Sequence, residues 1–337
     1  MEINVENKVF IHDKKMPKYV YLLINLVMLF IDVWHWTLLF IERFNTRQEA
    51  DHIKKYYLSI CAIFKNEELS MKEWIEYHLL IGVDHFYLYD NNSTDRCSLV
   101  LKPYIEKGIV TLNEWNLKAP CQADAYNHCK SNYWNDTRWL AFIDLDEYIC
   151  PRFSFDIKNF LSKFESYPSL IVYWKMFGSS GLVVHDNKRL ITEQYYIAWD
   201  KFNDIGKPFF NTRFTPCTTT IKYIHQLPAE MRLFGMKFII PPINEFKWFV
   251  RFRSNRVGCF KNKNDFSIQI NHYVLKSYNE YFVRRRNRGD VNSFANNASI
   301  KNYEYVQKYA NVPDYSIFKF IPYLKVLLSD GKYEKFF

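Results

Sequence analysis

Two carboxylates one residue apart close an apolar run in Arg138-Trp139-Leu140-Ala141-Phe142-Ile143-Asp144-Leu145-Asp146-Glu147-Tyr148. In an extended strand, residues i and i+2 share a face, so Asp144 and Asp146 are expected to project together from the strand's C-terminal end. Open α/β sheets place their ligands at that end. Like charges so close are costly unless a cation sits between them, and hard ions such as Mg²⁺ or Mn²⁺ take oxygen ligands of this kind. Such an ion could carry the diphosphate of an activated sugar. An acidic turn capping an ordinary strand is the plainer alternative, and for an isolated D-x-D pattern it is the commoner one.

The elements that must position this pair alternate in type. Tyr57 to Phe64 is an apolar run of strand length, and Met71 to Ile81 carries a helical stripe of Trp74, Tyr77, His78 and Ile81 ended by Gly82. His85 to Tyr89 reads as a strand, Cys97 to Lys107 as a helix closed by Gly108, and Ile109 to Trp115 as a third strand. Ala123 to Tyr133 reads as a helix, and Trp139 to Ile143 as the strand feeding Asp144. This β-α-β-α-β-α-β order predicts parallel strands with right-handed crossovers in a doubly wound, mostly parallel sheet. Four loops then crowd one sheet edge: Lys65 to Glu68, Asp90 to Asp95, Asn116 to Gln122 and Asp144 to Glu147. Ser169 to Trp174 and Phe266 to Leu275 read as further strands, Asp200 to Pro216 as irregular, and Tyr278 to Arg288 as a basic helix. Ile300 to Phe337 reads as helices packed on the domain.

At 337 residues the chain can bury a full core. Its formal charge of +9 suits a phosphorylated substrate, an anionic membrane or nucleic acid equally well. Basic residues cluster only at Arg284, Arg285, Arg286 and Arg288, with no recognition helix, zinc-finger spacing or RNA-binding aromatic motif. Nucleic acid is therefore not expected as a partner. The seven cysteines include no C-x-x-C pair, so zinc is not expected, and Cys61 reads as a buried free thiol. Tyr19 to Ile41 is mostly apolar and, at about 35 Å as a helix, long enough to cross a bilayer. Against a spanning helix stand Asn25, His35 and Asp32, a mid-membrane Asp costing about 3 kcal/mol. An interfacial helix and a core helix are the alternatives to an anchor. The expected organisation is a tail to residue 18, this hydrophobic helix (19–41), a stem (42–55), a catalytic domain (56–290) and a helical extension (291–337).

Several stretches together resemble glycosyltransferase family 92 and neighbouring GT-A transferases of the family 2 type. They are Ile63 to Glu67, Glu73 to His78, Gly82 to Asn91 and Trp139 to Glu147. Trp174 to Gly181 (W-x-x-F-G-S-S-G) and Asn271-His272-Tyr273 followed by Lys276-Ser277 are similar to later blocks of that family. The resemblance implies a GT-A fold with an N-terminal hydrophobic helix and C-terminal helices. It also implies transfer of a hexose, typically galactose, from a UDP-sugar to a glycan hydroxyl with inversion. Many such enzymes are anchored by one N-terminal helix, so a single-pass membrane location is expected.

Carried over residue by residue, the resemblance assigns Asp144, Asp146 and His272 to a metal, Mn²⁺ or Mg²⁺, with imidazole favouring Mn²⁺. Asp90, with Asn91, Ser93 and Asp95 shaping its turn, would receive the uracil or ribose. Lys65, Asn66, Glu67 and Gln122 would line the nucleotide pocket. Lys276, Arg285 and Arg288 would neutralise the departing diphosphate. For the base that takes the acceptor's proton the sequence offers Asp186, Glu193, Asp200 and Asp204, with Glu193 favoured because Leu190 to Glu193 resembles a family strand. Trp174, Phe177, Tyr195, Tyr196 and Trp199 suit sugar stacking, though core packing is the commoner fate of such aromatics. The rival readings are a catalytically silent GT-A-fold glycan-binding protein and a sugar nucleotidyltransferase. The second is disfavoured because Lys65 to Glu68 is acidic and lacks the glycines that grip a triphosphate.

Overall fold

The computed structural model describes residues 18–45, 54–203, 205–214, 229–233, 236–250, 266–284 and 299–329. The first half runs α1 (Lys18–Asn45), β1 (Tyr56–Phe64), α2 (Glu68–Leu80), β2 (His85–Asp90), α3 (Cys97–Glu106), β3 (Val110–Glu114), α4 (Gln122–Tyr133) and β4 (Thr137–Phe142). Then come β5 (Glu147–Pro151), α5 (Lys158–Leu161), β6 (Ser169–Met176), α6 (Ile191–Gln194), β7 (Ile197–Trp199) and β8 (Gly206–Asn211). The chain continues with β9 (Ala229–Leu233), β10 (Met236–Ile240), β11 (Ile268–His272), α7 (Ile300–Tyr309), β12 (Ala310–Pro313) and α8 (Ile321–Leu328).

The early strands are apolar on both faces because both faces are covered. In β1, Leu58, Ile60, Ala62 and Phe64 join the core beneath α2 and α3, where Trp74, Tyr77, Leu101 and Tyr104 lie. The alternate residues Cys61 and Ile63 turn to the opposite face and meet Ala125, Tyr126 and Cys129 of α4. β2 and β4 split the same way, with Phe86, Leu88, Trp139 and Ala141 on the first face and Tyr87, Tyr89, Leu140 and Phe142 on the second. Gly82 and Gly108, at φ +103° and +68°, reverse the chain after α2 and α3 in a conformation that other residues rarely adopt.

Eight strands form one sheet in the order β3-β2-β1-β4-β8-β6-β11-β5. β1 to β4 pair in parallel, as do β6 and β11. β8 runs antiparallel to both β4 and β6, and β5 runs antiparallel to β11. The fold is thus a mixed α/β architecture with a mostly parallel sheet, and the expectation of an irregular Asp200 to Pro216 is corrected by β8. The sequence Gly206-Lys207-Pro208-Phe209-Phe210-Asn211 hides its strand because Pro208 brings no N–H to a ladder. Gly206 has a specific reason to be there: a Cβ on it would lie 2.2 Å from the Val172 carbonyl oxygen of β6. Leu190 to Glu193, expected as a strand, instead enters the short helix α6. Its amides at Ile191 and Thr192 are capped by the buried carboxylate of Glu73 in α2.

The apolar N-terminal segment forms α1. Its C-terminal half docks on the domain through buried Leu38 and Leu39 and through Trp36, which packs against Tyr167 and Phe249. Asp32 is buried, while Leu23, Phe30, Trp34 and Phe40 are exposed. Among the described residues, no helix is long and apolar enough to cross a membrane.

Candidate metal and donor site

The turn between β4 and β5 differs from the extended geometry that the D-x-D spacing suggested. β4 ends at Phe142, and the Glu147 amide donates back to the Asp144 carbonyl at 3.1 Å. The Glu147 carboxylate in turn accepts from the Asp144 amide at 3.0 Å. This turn sends the two aspartates to different neighbours. Asp146 Oδ1 lies 3.6 Å from His272 Nε2, at the end of β11. Asp144 Oδ1 accepts from Gln122 Nε2 at 2.6 Å and from the Tyr126 hydroxyl at 3.2 Å, both from α4. Its other oxygen, Oδ2, lies 2.8 Å from Lys207 Nζ of β8.

Asp146, Glu147 and His272 each offer a ligand atom within 4.8 Å of the others. His272 Nδ1 is buried without a hydrogen-bond partner, a state that an imidazole tolerates poorly unless something else occupies that lone pair or proton. Two carboxylates and an imidazole are a donor set that Mn²⁺ accepts readily, so these residues fit a divalent ion. The Glu147 carboxyl is wholly buried. Burial pushes its pKa well up and the neighbouring Asp144 and Asp146 charges add to that, while Lys207 opposes them. For Lys207, burial pulls the ammonium down, but Asp144 and Glu147 outweigh it and hold the pKa above its ordinary value.

β5 is fixed in place from behind. Trp74 Nε1 donates to the Glu147 carbonyl at 2.8 Å, and the Tyr77 hydroxyl to the Ile149 carbonyl at 2.8 Å. On the other side the Tyr273 amide donates to the Asp146 carbonyl at 2.8 Å. The acidic turn is therefore pinned at its β5 end through backbone carbonyls rather than through its carboxylates.

The residues expected to line a nucleotide pocket lace the first three loops together. Asn66, at φ +54°, donates its amide to Ser93 Oγ at 2.9 Å, and its Oδ1 accepts from the Thr94 amide at 2.6 Å. Asp95 caps α2 from outside by accepting from the Glu68 amide at 2.9 Å, a favourable place for a carboxylate. Asp90 accepts from the Ser93 amide, and Asn91 donates to the Trp115 and Leu117 carbonyls of the third loop. Glu67 Oε2 accepts from Ser70 Oγ at 2.6 Å and lies 3.8 Å from Lys276 Nζ, which joins the first loop to the segment after β11. Lys65 is half-buried one residue beyond the end of β1.

The proposed bases are scattered. Glu193 Oε1 is 2.9 Å from Lys325 Nζ of α8 and 4.0 Å from Arg189. Asp186 is an exposed turn residue that accepts from the Lys188 amide. The Asp200 carbonyl accepts from Lys175 Nζ. Asp204, Arg285 and Arg288 lie outside the described residues. Trp174, Phe177, Tyr195 and Trp199 are buried in the core, leaving Tyr196 half-buried against Tyr315. Reading the sequence missed Lys207 and undervalued Glu147 and Tyr126. Glu147 was visible beside the D-x-D pair, whereas nothing in the local pattern marks Lys207.

Residues 54–317 match glycosyltransferase family 92, and the chain belongs to that family. A family 92 protein of Ricinus communis is 31% identical over 135 residues, covering 38% of this chain and 24% of that protein. The galactan beta-1,4-galactosyltransferase GALS3 of Arabidopsis thaliana is 28% identical over 244 residues, covering 68% of this chain and 44% of its own length. The chain thus spans less than half the length of these curated relatives. Among solved structures, S. aureus TarS 1-349 in complex with UDP overlaps 46% of this chain and 47% of its own at 14% identity. Its TM-score is 0.30, an overlap that bears on neither fold nor function here.

Proposed function

We propose that this protein is a metal-dependent glycosyltransferase of GT-A type that moves a hexose, galactose in the first instance, from a UDP-sugar to a glycan hydroxyl with inversion. The observation that carries the reading is the approach of His272 to within 3.6 Å of Asp146 in a chain of glycosyltransferase family 92. The choice of galactose rests on the relatives named galactan beta-1,4-galactosyltransferases.

In this reading Asp146 and His272, with Glu147 beside them, would hold the ion. Bound there, a divalent cation supplies charge that makes UDP a better leaving group. The protein's own part is positioning. Gln122 and Tyr126 orient Asp144, and the Asn66, Ser93 and Asp95 lacing would shape the nucleotide site, with Asp90 placed to receive the uracil or ribose. Lys276, held near Glu67, is placed to meet diphosphate charge as it grows. The acceptor oxygen attacks the anomeric carbon opposite the diphosphate. A new C–O bond forms, the bond to the phosphate oxygen breaks, and the acceptor proton passes to a base. Membrane association through the exposed apolar residues of α1 belongs to the same reading. Release of the full chain from membranes by alkaline carbonate would exclude an integral anchor.

The test is UDP release from a panel of UDP-sugars with Mn²⁺ and β-1,4-linked galactan oligosaccharides. Metal-dependent release from UDP-galactose that requires acceptor is the expected result. Glycan binding with no turnover from any donor would instead make this a silent member of the fold.

A further inference from the structure

Asp144, Asp146 and Glu147 place three carboxylates within four consecutive residues, and the structure sets one buried cation among them. Lys207 has a side chain with no solvent exposure, lying 2.8 Å from Asp144 Oδ2 and 3.5 Å from Glu147 Oε1. Its ammonium also lies 5.8 Å from the centre of the Trp174 ring. We propose that Lys207 is the positioning residue of the acidic turn, a resident counter-cation that holds Asp144 away from the metal and leaves Asp146 and His272, with Glu147 beside them, for the divalent ion. This inference rests on the metal-dependent reading above.

The division of labour follows from where each oxygen is used. Both oxygens of Asp144 are engaged by the protein, one by Gln122 and Tyr126 and the other by Lys207. Asp146 faces His272 instead. A solvent-exposed lysine on a loop could swing out to a phosphate. Lys207 cannot, because it stands on a strand held between β4 and β6, and Gly206 beside it permits a backbone approach that no larger residue would. A desolvated ammonium in this position neutralises part of the carboxylate cluster before any metal arrives. Removing it would leave the half-buried Asp144 and the buried Glu147 without their cation, and an incoming ion would be drawn to Asp144.

The experiment measures Mn²⁺ binding to the full chain by the electron paramagnetic resonance of free Mn²⁺, and melting temperature in EDTA and in Mn²⁺. Lys207→Met is expected to melt lower in EDTA and to gain more from Mn²⁺ than the unaltered protein. It should also bind Mn²⁺ roughly threefold more tightly or better, because Asp144 is released to the ion. Asp144→Asn should keep Mn²⁺ affinity within about twofold, while Asp146→Asn should weaken it at least about tenfold. A lysine with a merely structural role would lower the melting temperature without tightening Mn²⁺, and that result overturns the proposal. Equal losses from Asp144→Asn and Asp146→Asn overturn it as well, and this comparison stands even where Lys207→Met fails to fold. An unaltered chain that binds no Mn²⁺ removes the metal reading itself. The double-mutant cycle of Lys207→Met with Asp144→Asn on melting temperature tells the two failures apart: coupling supports the pairing, and additivity overturns it.

Discussion

The Asp146 carbonyl accepts a hydrogen bond from the Tyr273 amide at 2.8 Å while its carboxylate lies 3.6 Å from the preceding residue's imidazole, His272. One backbone bond therefore fixes the spacing of two side chains that are more than a hundred residues apart in sequence. Any ion held there is held by the register between the β4–β5 turn and the end of β11, rather than by a single loop.

Changing either side chain should disable the site without unfolding the protein. Asp146→Asn and His272→Ala are each expected to lower kcat by at least about a hundredfold, with Mn²⁺ affinity falling in parallel. Steady-state UDP release and Mn²⁺ titration measure both. Turnover within a few-fold of the unaltered enzyme would remove these residues from the metal centre.

His78 makes acid stability predictable. Its Nδ1 can only donate to the Trp74 carbonyl, at 2.8 Å, and its Nε2 accepts from the Ile149 amide at 3.3 Å, so the ring is neutral. Burial pulls its pKa from 6.5 down to about 3. The unfolded chain thus binds a proton between these values that the folded chain refuses. Stability from this group is full above pH 6.5 and falls as the pH drops toward 3, by roughly 3 kcal/mol at pH 4. Denaturant unfolding at several pH values measures the slope, which should flatten in His78→Gln.

Gly206→Ala should be strongly destabilising although it adds one methyl group. That carbon would sit 2.2 Å from a backbone oxygen, which cannot rotate away. A loss of at least about 2 kcal/mol is expected in equilibrium unfolding. An unchanged midpoint would mean that β8 and β6 do not approach this closely.

Glu193 was the favoured base on sequence, and its geometry sets a sharp test. Its carboxylate is clasped to Lys325, whose side chain is 52% exposed, in a pair of the kind usually worth about 1 kcal/mol or less. Glu193→Gln is expected to change kcat less than about threefold and to lower stability slightly. A loss of two or more orders of magnitude would make it the base.

Much of the architecture was legible because its signals are local. Short apolar runs along Leu58 to Phe64 and along Trp139 to Phe142 mark strands by their length and composition, and Gly82 and Gly108 mark the turns that end the helices. The acidic residues after β4 were likewise visible as composition at a strand end. β8 was not legible, since Pro208 argues locally against a strand that only its neighbours β4 and β6 stabilise. Leu190 to Glu193 misled for a similar reason: its helical turn depends on Glu73, a carboxylate from α2 that caps its amides.

By itself, the order of residues determined β1 to β4 with the helices between them, and it placed an acidic turn after β4. Only the tertiary structure decided that Asp146 goes to His272 while Asp144 goes to Lys207. The physical reason is that a charge chooses its partner by distance and desolvation. Both are set by strands that meet across the sheet, not by neighbours along the chain.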